Sequence, residues 1–70
     1  MEKDILEFID GVPELELPLR ELYVKVMDRR GDYLDFSDFL HAVGNLKREG
    51  KVIEYDKLPD RISTVALTED

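Results

Sequence analysis

Few residues of this chain are of a type that could do chemistry. His41 is the only histidine, and Ser37 precedes it by one helical turn. A serine–histidine pair works as nucleophile and base only when a third group orients the imidazole. One imidazole in a chain with no cysteine makes no zinc site. We therefore read His41 as a solvated helix residue that is open to contact with a partner. There is no glycine loop to cradle a phosphate, no nucleophile elbow and no cluster of metal ligands. The expectation is a binding protein and not an enzyme, with no cofactor and no metal.

The remaining candidates are polar and cationic contacts. Ser37, His41, Asn45 and Arg48 fall on one face of a helix at 100° per residue, together with Asp38. Lys57 and Arg61, with Lys51, are the bases of a later hairpin and could touch phosphate or the minor groove. Glu54, Asp56 and Asp60 stand among them and could equally neutralise them. Lys25, Arg29 and Arg30 close an earlier helix, where a positive end suits the dipole.

Periodicity predicts the elements that hold these residues. Residues 2–10 read as a helix with Ile5, Leu6, Phe8 and Ile9 on one side, stopped by Gly11 and Val12-Pro13. Residues 14–17 alternate polar and apolar like a half-buried strand, placing Glu14 and Glu16 together at a sheet edge. Pro18 ends that strand and suits the start of a helix over 18–30. Leu19, Leu22, Tyr23, Val26 and Met27 form its apolar stripe, and Gly31 caps it. Asp35 reads as the N-cap of a third helix, with Asp38 three residues on, and Gly50 closes it. Phe36, Phe39, Leu40, Val43 and Leu46 form its expected buried stripe. Phe8, Tyr23, Phe36 and Phe39 are expected in the core. Residues 51–56 and 62–68 predict a hairpin turned by Lys57 to Arg61 around Pro59.

The fold class is thus α+β, in the order α-β-α-α-β-β, which is the winged helix-turn-helix arrangement: three helices with a small antiparallel sheet in a single domain over 1–70. The stretches Asn45 to Val52, Pro59-Asp60-Arg61 and Leu67-Thr68-Glu69 resemble winged-helix regulators of the multiple-antibiotic-resistance type. The resemblance implies a recognition helix in the major groove and a wing arginine, here Arg61, at the minor groove. The chain departs from that pattern in opening its third helix with Asp35 and Asp38, and in having no flanking dimerisation helices. Residues 31–40 also resemble the second half of a calcium-binding EF-hand loop with its exit helix. With Asp38 at the twelfth position, however, Met27, Arg29 and Gly31 would occupy the first, third and fifth, where oxygen ligands are required. No calcium site is expected.

Composition bounds the partner. The formal net charge is −7, and the acid is concentrated in residues 1–16, where Lys3 is the only base. Such a chain is repelled by nucleic acid at long range, so any DNA contact must be local. The expected partner is double-stranded DNA, as for a small transcriptional regulator. The alternative is a protein that meets the acidic surface of an interaction module. The chain is expected to act as a monomer or a homodimer. No apolar run is long enough to span a membrane, and no secretory leader is visible, so a cytoplasmic setting is expected. The chain has no glutamine, and Asn45 is its only asparagine. With its many charges, that composition fits a thermophile.

Overall fold

The computed structural model describes residues 1–68. Its elements run α1 (Glu2–Asp10), β1 (Glu16–Pro18), α2 (Leu19–Arg30), α3 (Phe36–Arg48), β2 (Val52–Lys57) and β3 (Ile62–Leu67). The three strands form one antiparallel sheet in the order β1-β3-β2. The chain is therefore α+β, with three helices and a three-stranded sheet in the sequence the periodicity predicts. Among the described residues no helix is long and apolar enough to cross a membrane.

The helix boundaries follow from local chemistry. Gly31 ends α2 in the left-handed conformation at φ 77°, which a residue without a Cβ adopts freely, and its N–H donates to the Met27 carbonyl. Asp35 caps α3 by accepting from the Ser37 N–H at 2.8 Å. Gly50, at φ 74°, turns the chain from α3 into β2. α1 ends more simply, with Gly11 still in a right-handed helical conformation.

One buried cluster joins all six elements. Ile5 and Ile9 come from α1, Leu22 and Val26 from α2, and Phe39, Ala42, Val43 and Leu46 from α3. Leu17, Val52 and Val65 come from the sheet, and Leu34 from the turn before α3. Tyr23 donates its hydroxyl to the Leu34 carbonyl, which ties that turn to α2. Arg29 holds α1 against α2. It donates to Asp4 at 3.1 Å and Glu7 at 3.2 Å, and its guanidinium lies 4.1 Å from the centre of the Phe8 ring.

Four expectations change. The first strand starts at Glu16 and not at residue 14, because Leu15 sits at φ 56° and donates its N–H into a turn at Val12. A left-handed residue breaks the pleat, so Leu15 faces outward while Leu17 is buried. Pro18 belongs to β1, opposite Thr64, where an edge strand tolerates a residue with no N–H. The buried stripe of α3 is rotated: Ala42 takes the place expected for Leu40, and Phe36 and Leu40 remain 37% and 39% exposed at its margin. Of the four aromatics expected in the core only Phe39 is fully buried. Phe36 and Tyr23 lean on it and on each other, their rings edge to face at 5.0 Å.

Candidate interaction surface on α3 and the hairpin

The outward side of α3 presents Ser37, Asp38 and His41 to solvent. Leu40, His41, Gly44 and Arg48 border a shallow depression on this side. Gly44 is its floor. A Cβ built on Gly44 would meet no atom within 4 Å. A glycine inside a helix costs about 1 kcal/mol relative to alanine, and nothing within this chain requires one here. The missing side chain leaves α3 bare at one point, where another molecule's backbone can come close. Gly44 was not among the residues singled out from sequence, although an isolated glycine inside a helical pattern is a signal of this kind.

Asn45 lies less open than its polar type suggests. It is half-buried, its Nδ2 donating to Glu2 of α1 at 3.4 Å, and its Oδ1 accepts from Arg48. Asn45 thus braces α3 against α1 and steadies the Arg48 guanidinium without neutralising it. Lys47, next to these, is spent on Glu54 of β2 at 3.2 Å.

The hairpin separates its two candidate bases. Arg61 is exposed in the turn between β2 and β3, at φ 55°. Lys57, expected beside it, is engaged elsewhere. Its Nζ donates to Glu16 at 2.6 Å, and Tyr55 donates to the same carboxylate at 2.7 Å. The cause is strand parity. Residues 53, 55 and 57 of β2 face one side of the sheet, while Val52 faces the core and Glu54 meets Lys47 of α3 on the other. Lys57 therefore lies on the sheet face turned away from α3.

The charge states follow these contacts. The Lys57 ammonium and the Tyr55 hydroxyl hold the Glu16 carboxyl below the usual value of 4.5. Glu16 in turn pushes Lys57 up. Glu54 is lowered by its hydrogen bond from Ser63 and by Lys47. Burial raises the Tyr23 hydroxyl.

Arg29, Arg30, Lys47 and Lys57 are paired with carboxylates. Among the described residues Arg48, Lys51 and Arg61 of α3 and the hairpin have no such partner within 4.0 Å. No group of three described residues of metal-ligating type lies close enough to hold a metal ion. Comparison with family models, curated proteins and solved structures found no match.

Proposed function

We propose that this chain is a small winged-helix regulator that binds duplex DNA, with α3 entering the major groove and the β2–β3 hairpin serving as its wing. The observation that carries the reading is the bare stretch of α3 at Gly44, flanked by His41 and Arg48. A helix without a side chain at that point can approach a phosphate backbone or base edge closely. Arg48, Lys51 and Arg61 supply charge that no carboxylate of the described chain consumes. The contact is local, because acids elsewhere oppose it, and it weakens steeply as salt rises.

Fluorescence anisotropy with random duplex DNA at about 50 mM salt, where phosphate contacts are strong, tests the reading. Arg48→Ala and Arg61→Ala each lower affinity several-fold and reduce the salt slope by about one. Arg30→Ala, whose guanidinium already faces Asp32, changes little. Asp38→Asn strengthens binding by removing a negative charge from the approaching helix. Gly44→Ala keeps the fold and weakens binding, because the added methyl stands where the DNA must come. Absence of binding at this salt sinks the DNA reading.

A second reading, contact with a protein through the same helix, rests on a different observation. Phe36 and Leu40 are partly exposed at the leading end of α3 beside Asp35 and Asp38. Apolar and acidic groups there suit a protein surface better than phosphate. In this reading Phe36→Ala abolishes partner capture while Arg61→Ala does not.

A further inference from the structure

Among the described residues no helix covers the outer face of the sheet, although Thr64 at its centre is buried by its strand neighbours. The helices bury Leu17, Val52 and Val65 on the inner side. By strand parity Glu16 and Pro18 of β1, Ile53, Tyr55 and Lys57 of β2, and Ile62, Thr64 and Ala66 of β3 point the other way. An antiparallel sheet with one wet face ordinarily alternates polar residues outward. Here Ile53 is 51% exposed and Ile62 47%, and Leu58 in the adjoining turn is 74% exposed. Leu15, thrown outward by its left-handed backbone, extends the same apolar surface.

Two grooves run along this face, on either side of the bonded Glu16–Tyr55–Lys57 group. One is bordered by Leu15, Ile53, Tyr55 and Ala66. The other is bordered by Pro18, Leu58, Ile62 and the buried Thr64. Glu14 and Glu16 border both, and Glu21 and Asp60 stand at the second. Among the described residues the one cation bordering either groove is Lys57, already bound to Glu16. The face is apolar in its floor and negative at its rim.

We propose that the outer face of the sheet is a docking site for an extended protein segment that alternates apolar and basic residues. Charge selects this occupant. Nucleic acid and anionic lipid are repelled by Glu14, Glu16, Glu21 and Asp60. A second copy of this chain would bring the same acids against themselves. A cationic segment meets the rim with opposite charge, while its apolar side chains fill the grooves beside Ile53 and Ile62. An extended strand turns its alternate apolar residues into the grooves, and the long, flexible lysine side chains between them bend round to the carboxylates at the rim. The site is distinct from the α3 surface, so it stands or falls independently of DNA binding.

The test is anisotropy and amide-shift titration of the whole chain with a labelled peptide alternating lysine and leucine. About ten residues, roughly 33 Å when extended, span the molecule, whose longest dimension is 31 Å. The counterpart with glutamate for lysine is the control. The lysine peptide binds, the glutamate peptide does not, and shifts fall within 14–18, 53–58 and 62–66. Ile53→Lys and Glu14→Lys each weaken binding at least tenfold with unchanged circular dichroism. The proposal is overturned if neither peptide binds, if both bind equally, if the variants bind like the parent, or if the shifts map to α3. It is also overturned if the parent sediments as a dimer that Ile53→Lys dissolves, since a second copy then covers the face.

Discussion

The outward face of α3 and the outer face of the sheet turn away from the same core, and they are made of different material. α3 offers a hydroxyl, an imidazole, an arginine steadied by a neutral amide, and a glycine that leaves the helix bare. The sheet offers isoleucine, leucine and tyrosine between carboxylates, with its one lysine already neutralised. A single net charge of −7 describes neither. Long-range association follows the sum, but contact follows the local arrangement. Two of the bases bear this out: Lys57 and Arg61 are close in sequence, yet pleat parity hands Lys57 to the sheet face and leaves Arg61 at the turn.

The sharpest way to break both faces at once is through what they share. Phe39→Ala removes a fully buried ring at the centre of the cluster and costs about 3–5 kcal/mol in urea unfolding. Phe36→Ala, its stacked neighbour on the same helix, is expected to cost roughly two thirds of that, since about a third of Phe36 already meets water. Equal losses would mean that Phe36 is core and that α3 presents less apolar surface than described.

Gly44→Ala separates stability from contact. It is expected to raise stability by about 0.5–1 kcal/mol, because alanine favours the helix and its methyl meets nothing. A thermal melt that falls instead would show that α3 does not stand clear of its surroundings at this point.

Acid should weaken the sheet face through Glu16. The folded-state value of Glu16 lies below the ordinary 4.5, so its contribution is complete above that value and fades as pH falls through the lower folded value. Lys57 is shifted upward, and its contribution fades only as pH rises past its folded value, above 10.5. Urea midpoints of the parent and Glu16→Gln should differ at pH 7 and converge toward pH 3. A constant difference would mean that Glu16 acts through packing and not through charge. The effect is the smallest of the three, because the pair lies near water.

The helices were legible because their signals are local. The 3.6-residue stripe of α2, the glycine after it and the aspartate before α3 each act within a few residues of themselves. What escaped the sequence depends on neighbours distant along the chain. Ala42 replaces Leu40 in the core because other elements decide which edge of the α3 stripe is covered. Leu15 is thrown outward by a turn that alternation in Glu14-Leu15-Glu16-Leu17 conceals. At the candidate surface, Ser37, His41 and Arg61 are exposed, as their polar character suggested. Asn45 and Lys57 do not, because Glu2 and Glu16, remote in sequence, claim them. The uncovered apolar face was equally hidden: Val52 and Ile53 look alike as letters, and only pairing with β3 shows which one is roofed.

The placement of β3 between β1 and β2 carries a consequence for how the protein is made. Leu17 lies opposite Val65, so β1 waits for a strand that follows only after α2, α3 and β2. During synthesis all three helices emerge before the residue that seats β1. Until then their apolar stripes have only each other, and no sheet closes the cluster. A chain lacking β3 would therefore leave Leu17 without its partner strand, and the arrival of β3 would act as the commitment step that seats it.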